Sequence, residues 1–350
     1  MGHPRQSSRS RRAADHAGQP TTVLGMTGHG ADVLVVGAGL AGAAAAHALT
    51  SAGHRVRVTE RAAVPGGRMG SLALPGGVAD HGAQFFTTRS EEFTAIVGRA
   101  LADGAVVTWT NGFDDPPDGY PRYRGATGMG DLARWLLADA DVSVTYGSEI
   151  TRIDRDPDAV ILTAPVPESL ALLTASDLLP EPTLHQRLGS IAYKPTIAVL
   201  LTLDRCPDGF PDHGGVQYLD HPELAFATDN GRKGLTDGHV VTIHLTNELS
   251  GRLWNAADAH IVDQASAACA GLLGDAAVQD RQVIRWRYAG PVETLPERTI
   301  GWGSEPFIAL AGEAFGGPKV EGAFLSGRAA ATLVGEHLDL GAARDGNMAS

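Results

Sequence analysis

Two cysteines, Cys206 and Cys269, serve a chain of 350 residues. No C-x-x-C pair and no ligand spacing accompanies them, which argues against a disulfide framework and fits a reducing, cytoplasmic compartment. Thirteen histidines are scattered without an H-E-x-x-H, so nothing recommends a metal site. No apolar run is long enough to span a bilayer, and no membrane partner is expected. Cations are scarce: 28 Lys and Arg stand against 40 Asp and Glu, a net charge of −12. That balance disfavours a polyanion such as nucleic acid. Lysine is rarest among them, at positions 194, 233 and 319.

The chain has glycine in abundance, 44 residues of it, and places it where bare backbone has a use. Val33–Val36 is a short apolar run suited to a buried parallel strand. Gly37, Gly39 and Gly42 follow at G-x-G-x-x-G spacing, with Leu40 and Ala41 between the last two. Ala43–Leu49 then reads as helix, Gly53 stops it, and Val56–Thr59 returns as strand, ending at Glu60 and Arg61. Gly37 permits the tight turn, Gly39 lets a pyrophosphate approach the backbone, and Gly42 lets helix and strand pack closely. A pyrophosphate there meets unpaired N–H groups at the positive end of a helix dipole. Glu60 stands where a carboxylate accepts ribose hydroxyls, and it would repel a 2′-phosphate. A second glycine turn, Gly66-Gly67, comes six residues later with Arg68 behind it. That turn brings bare backbone to a ligand a second time and places Arg68 to meet a phosphate or the ligand's polar edge; a surface turn with a solvated arginine is the alternative.

Residues 1–30 are polar and read as a disordered tail; no apolar h-region follows the twin arginines, so an export signal is rejected. Met26 is a candidate natural start. Strands are expected at Val106–Trp109, Val142–Tyr146, Glu149–Asp154 and Ala159–Ala164, and helices at Glu91–Ala102 and Asp131–Ala138, with a loop over Asn111–Arg124. Ile191–Leu203, Val216–Leu219, Leu224–Thr228 and Val240–Thr246 read as antiparallel strands separated by turns. One helix over Trp254–Leu273 and a strand at Val283–Tyr288 follow. Phe307–Ala311 and Val320–Gly335 resume the first texture as strand and helix. The expectation is an α/β chain with an α+β insert. Its Rossmann-like FAD-binding domain would comprise residues 31–90, 125–166 and 283–340. A mostly antiparallel-sheet substrate domain, residues 91–124 and 167–282, would be inserted into it.

The glycine turns, Gly312-Glu313 and Glu321–Gly327 (EGAFLSG) together resemble the FAD-dependent oxidoreductases of the flavin amine oxidase superfamily. Asp80–Thr87 (DHGAQFFT), Thr163–Glu168 (TAPVPE) and Trp286–Tyr288 (WRY) make the chain similar to its renalase-like branch. The resemblance runs from Asp32 to about Leu338. It implies that Gly37, Gly39 and Gly42 hold the FAD pyrophosphate, Glu60 the adenosine ribose and Arg68 the flavin side of the pyrophosphate. Gly67 and Arg61 belong to the same cofactor set. Ile150 would pair its backbone with adenine, and Glu313 would bind a ribityl hydroxyl beside Gly312. Glu321, Gly322 and Ala323 open the last helix against the flavin, where a helix N-terminus favours an adjacent anion by up to about 2 kcal/mol. A plain helix with small residues for packing is the alternative for EGAFLSG. With no cysteine near the flavin end, FAD is expected to be non-covalent. Between Arg152 and Ala159 the chain departs from the family, which usually carries extra strands there.

Three functions follow. The first is an oxidase that takes hydride from a small molecule, the 2- or 6-dihydro isomers of NAD(P), and passes the electrons to O2 to give H2O2. The second is a true amine oxidase, and the third a flavin-binding redox module without a free substrate. Flavin amine oxidases resembling this chain commonly use a lysine near the flavin, on a strand like Leu188–Leu203. That position falls on Tyr193 or Lys194, and adjacent strand residues face opposite sides. Gln84, Phe86, Trp286 and Tyr288 are the expected walls of the reaction site, although Trp286 and Tyr288 serve equally as core.

Overall fold

The computed structural model describes residues 30–114, 116–317 and 319–348. The expected tail and the start at Met26 therefore lie, but for Gly30, outside the described residues. The chain opens with β1 (Asp32–Val36), α1 (Leu40–Ser51), β2 (Arg55–Thr59), and a single 3-10 turn (Gly67–Met69). A hairpin, β3 (Ser71–Leu74) and β4 (Gly77–Asp80), precedes α2 (Glu91–Ala102) and a second hairpin, β5 (Val106–Thr110) and β6 (Arg122–Gly125). Then come α3 (Asp131–Asp139), β7 (Ser143–Thr145), β8 (Ala159–Leu162), α4 (Val166–Ser176) and α5 (Pro182–Gly189). The middle of the chain is β9 (Tyr193–Leu203), β10 (Gly215–Gln217), β11 (Leu224–Asp229), β12 (Val240–Leu245), α6 (Asn247–Arg252), α7 (Asp258–Ala268), α8 (Ala270–Leu273) and β13 (Val278–Pro291). The chain closes with β14 (Ile300–Trp302), β15 (Phe307–Leu310) and α9 (Lys319–Met348).

The first sheet has the order β14-β15-β8-β1-β2-β7 and is parallel except at β14. Its central strands β1, β8 and β15 are apolar except at Asp32, which opens β1, because both faces are covered. Val33, Val35, Ala159, Ile161, Phe307 and Ala309 pack with α1, α2, α3 and α9. The alternate residues Leu34, Val160, Leu162, Ile308 and Leu310 pack with α4 and α5 on the other face. The second sheet, β10-β11-β12-β9-β13, is antiparallel. Ile197, Val199, Val241, Ile243 and Val283 on one face pack with α7 and α8. Part of its other face meets the β3–β4 hairpin through Leu200, Val240, Leu72 and Leu74.

The structure redraws three expected elements. Glu149–Asp154 forms no strand, because the Ile153 amide donates to Ser176 Oγ on α4 (2.9 Å) rather than to a ladder. Arg122–Gly125 leaves the expected loop to pair with β5. The single helix over Trp254–Leu273 starts only at Asp258, because Arg285 takes the carbonyls of Trp254 and Ala256 (3.2 and 2.9 Å) that a continuous helix needs. Packing also bears on the two-domain division. α2 packs in the core of the parallel sheet and α4 on its other face, while the boundary at residue 283 falls inside β13, along which β9 pairs.

Small residues decide how closely α1 and α9 approach. A Cβ on Gly327 of α9 would lie 2.1 Å from the Ala41 carbonyl of α1, so even alanine forces the helices apart. Gly327→Ala is expected to cost about 1–3 kcal/mol. Chemical unfolding monitored by circular dichroism measures it, and an unchanged midpoint would show that the helices yield freely.

Candidate functional site

A cavity of about 700 Å³ lies where the two sheets meet, within the size range of cofactor sites. One end is built from the carboxyl ends of β1, β2 and β8. The turn after β1 brings Gly37, Gly39, Leu40 and Ala41 to the wall, and β2 ends there with Glu60 and Arg61. The second glycine turn adds Gly67 and Arg68, tied to the first by Gly66 N donating to Ala38 O (3.0 Å). Gly39 caps α1 without a side-chain bond, so the first-turn amides of Leu40 and Ala41 are left for a ligand. Ile150, Gly312, Glu313 and Ala323 line the same cavity.

FAD fits these residues on the structure's own terms. A Cβ on Gly39 would have no heavy atom closer than Gly66 O at 3.9 Å; its bare backbone is open to the cavity rather than needed for packing. Gly37 has φ +106° and Gly67 φ +56°, conformations glycine adopts without strain. Glu60 is 7% exposed and accepts from the amides of Ala38 (2.7 Å) and Ala62 (2.8 Å). Those bonds hold the carboxylate at the wall and leave a second lone pair on each oxygen for ribose hydroxyls. Arg68 forks onto the Glu313 carboxylate and donates to Tyr288 O (2.9 Å). Both charges border the cavity, where Arg68 would meet a phosphate and Glu313 a hydroxyl.

The other end of the cavity belongs to the antiparallel sheet. Thr196 of β9 lies opposite Trp286 of β13, and Ala198 lies opposite both His244 of β12 and Ile284 of β13. Thr196, His244, Trp286 and Tyr288 reach the wall. Trp286 is held by stacking on His81 (centroids 5.4 Å apart, planes 17°) and by its indole N–H on His81 O (3.0 Å). Tyr288 packs edge-to-face on Tyr193 (5.3 Å). Tyr193 stands behind it and does not border the cavity; its hydroxyl accepts from Val166 N (3.1 Å), and burial pushes its phenol up to about 12. Lys194 is exposed and also lies off the cavity.

Five other residues expected at the site lie behind its wall. Gln84 turns its amide onto Asp80 O and Gly82 O (2.8 and 3.1 Å). Phe86, 3% exposed, packs on Phe93 and Tyr123 in the parallel-sheet core. Glu321 accepts from Ser90 N (2.7 Å) and so fixes the start of α2. Gly42 and Gly322 are packing glycines of the same design: a Cβ on either would lie 1.9 Å from the carbonyl five residues back, Gly37 O or Gly317 O. Neither cysteine borders the cavity, and burial pushes the Cys269 thiol up to about 12. Among the described residues no group of three potential ligands holds a metal position, and no helix is long and apolar enough to cross a membrane.

Sequence reasoning missed Lys233, Thr196 and His244. Lys233 sits in a charged turn after β11 that reads as solvated, yet it is 2% exposed and pairs with Asp80 at 2.7 Å. The alternation in β12 carried a signal for His244. Val241, Ile243 and Leu245 share the apolar face, which leaves His244 on the face with Val240 and Thr242.

His244 is held neutral within this wall. Burial drives its pKa down to about 4, helped by the charges of Lys233 and His81 and opposed by the His81 carbonyl and Asp80. The folded protein therefore holds His244 neutral while the unfolded chain takes up a proton below its ordinary 6.5. The resulting stability is fully present above pH 6.5 and is lost as pH falls from there toward 4. Between those values wild-type stability should decline more steeply than that of His244→Gln, by up to about 1.4 kcal/mol per pH unit. Urea unfolding across pH 4–7 measures the difference, and equal slopes overturn it. Gly39→Leu should fold normally and lose FAD, since its side chain occupies the open cavity. Absorbance at flavin wavelengths, read beside an unchanged unfolding midpoint, tests that separation.

Comparison with known proteins agrees with this layout. Residues 35–100 match an NAD(P)-binding Rossmann-like domain, and residues 119–335 match flavin containing amine oxidoreductases. A phytoene dehydrogenase of Streptomyces griseus is 49% identical over 84 residues, 23% of this chain and 16% of that protein. A hydroxyneurosporene desaturase of Rhodobacter capsulatus is 47% identical over 58 residues, 17% of this chain and 12% of that protein. The matches thus span under a fifth of those relatives' length. Among solved structures, cyclohexylamine oxidase from Brevibacterium oxydans superposes with a TM-score of 0.66 at 14% identity, over 89% of this chain and all of that one. An oxidoreductase from Methanosarcina mazei gives 0.57 at 14% identity, over 87% of this chain and all of that one. These two show a shared fold. The family match covers well over half of the chain, and the chain belongs to the flavin containing amine oxidoreductases, a family of FAD-dependent oxidoreductases.

Proposed function

We propose that the protein is a renalase-like oxidase, acting in the cytoplasm with non-covalent FAD, that takes hydride from 2- or 6-dihydro isomers of NAD(P) and delivers the electrons to O2. Bound FAD would supply the hydride-accepting and oxygen-reducing chemistry. The observation that carries the reading is the character of the substrate wall. Trp286 and Tyr288 present aromatic surface, and among the described residues the antiparallel sheet gives the cavity no ammonium group: Lys194 faces solvent and Lys233 is engaged by Asp80. A dihydronicotinamide needs little acid–base help, because losing one hydride already leaves an aromatic cation. The site's task is to align a flat ring and keep water out. Trp286, clamped by His81, and Tyr288, backed by Tyr193, suit that task. The lysine that flavin amine oxidases commonly hold near the flavin has no counterpart on this wall among the described residues, and burial keeps its His244 neutral.

Anaerobic stopped-flow mixing with the holoenzyme tests the reading. The isomeric dihydronicotinamides should bleach the flavin rapidly and simple amines should not. Lys194→Met should leave the bleaching rate within about twofold, as expected for an exposed residue. Faster bleaching by amines, or a hundredfold loss in Lys194→Met, makes the protein an amine oxidase.

A further inference from the structure

Two polar side chains on the substrate wall have hydrogen-bonding capacity that the protein leaves unused. Thr196 and His244 stand on the cavity face of adjacent strands, one register step apart, beside Trp286. The Thr196 hydroxyl oxygen accepts from Asn247 Nδ2 (2.9 Å), and Asn247 is itself held by Pro195 O (2.9 Å). With its oxygen so engaged, the Thr196 proton is left to donate elsewhere. Neither ring nitrogen of His244 makes an aligned hydrogen bond within the described residues, and of the two only Nε2 is fully enclosed. The carbonyl of His81 lies beside the ring, but the indole of Trp286 already holds it.

We infer that Thr196 and His244 form a recognition site for a primary carboxamide on a flat ring lying against Trp286. This rests on the dihydronicotinamide reading, since that ring carries such an amide. Thr196 donates to the amide oxygen. His244 keeps its proton on Nε2, toward the His81 carbonyl, and presents the Nδ1 lone pair to the amide N–H. Burial keeps the imidazole neutral at physiological pH, so the lone pair is available. The pair is selective by subtraction. A carboxylate in place of the amide sets a charged acceptor against the His244 lone pair, and the two arginines that this sheet brings to the cavity are drawn elsewhere: Arg285 donates to Trp254 O and Ala256 O and pairs with Asp258, and Arg287 lies over the Trp254 ring (5.3 Å). A protonated amine has no acceptor for Thr196 and leaves its proton unpaired, a loss that discriminates well in an enclosed site.

Nicotinamide and nicotinate differ in this one group and serve as equilibrium probes, read by perturbation of the flavin spectrum of the holoenzyme. Nicotinamide should bind at least about tenfold more tightly than nicotinate, one well-placed hydrogen bond's worth. Thr196→Val and His244→Phe should each weaken nicotinamide about tenfold while FAD content stays unchanged. Equal binding of the two probes, or nicotinamide affinity that survives both substitutions, overturns the site. An enzyme that oxidises dihydronicotinamides yet shows no amide preference refutes this site and leaves the function standing. Amide preference without flavin bleaching supports the site and refutes the function.

Discussion

The cavity depends on a single buried ion pair. Asp80 and Lys233 are both sealed from solvent, and neither charge has water to fall back on. Asp80 compensates by making every oxygen serve a different part of the chain. One carboxylate oxygen accepts from Ser71 Oγ and from Met129 N (2.8 Å), ahead of α3; the other accepts from Lys233 beyond β11. Its carbonyl takes Thr242 Oγ1 of β12 and the Gln84 amide. Lys233 also lies over the Trp109 ring at 4.7 Å, and burial lowers its pKa. Removing either partner leaves the other charged and buried, which typically costs 3–5 kcal/mol. Because Asp80 begins the loop that carries His81, Gly82 and Ala83, the pair fixes that loop against both sheets and so sets the wall behind Trp286.

The cofactor end was legible in the sequence because it is made of local pattern. A strand, a glycine turn, a helix and an acid fall within thirty residues, and each has a fixed physical purpose. Glu60, Gly39 and Arg68 accordingly lie on the cavity. The substrate end was less legible because it is made by register. Thr196, His244 and Trp286 are far apart in sequence and meet only when β9, β12 and β13 pair. Gln84 and Phe86 show the limit of motif reading. They sit within a motif resembling the family's, yet one closes its own loop and the other fills core. Lys233 was hidden by composition, since a lysine beside Asp229, Gly231 and Arg232 looks like a solvated turn until Asp80 is placed next to it.

Two halves of the cofactor seat repeat one construction. After β1 and again before α9, a glycine turn leads into a helix. A glycine five residues on, Gly42 or Gly322, lets the helix start against the turn's own carbonyl. The N-terminus of α1 then offers bare amides and a favourable dipole with no charged side chain in its first turn, whereas the first turn of α9 carries Glu321, which is turned onto Ser90 N. The two helices also touch each other at Gly327 and Ala41, so the seat behaves as one packed unit. Its acidic and basic members, Glu60 with the Ala38 amide and Arg68 with Glu313, are held at fixed positions before any ligand arrives.

β13 pairs with β9 at Thr196–Trp286 and next at Lys194–Gly290, two steps on one strand against four on the other. The surplus residues bow outward and carry Tyr288 with them. The Tyr288 carbonyl, released from the ladder, is the one that Arg68 grips. This bow makes the sheet and the nucleotide fold poor candidates for modular exchange. A chimera that imported a relative's β9–β13 ribbon with a regular register would carry its own aromatic residues faithfully. It would still withdraw the carbonyl from Arg68 and loosen the arginine on the far side of the junction. Substrate range in this scaffold is therefore more readily altered by exchanging side chains along the existing ribbon than by transplanting the ribbon itself.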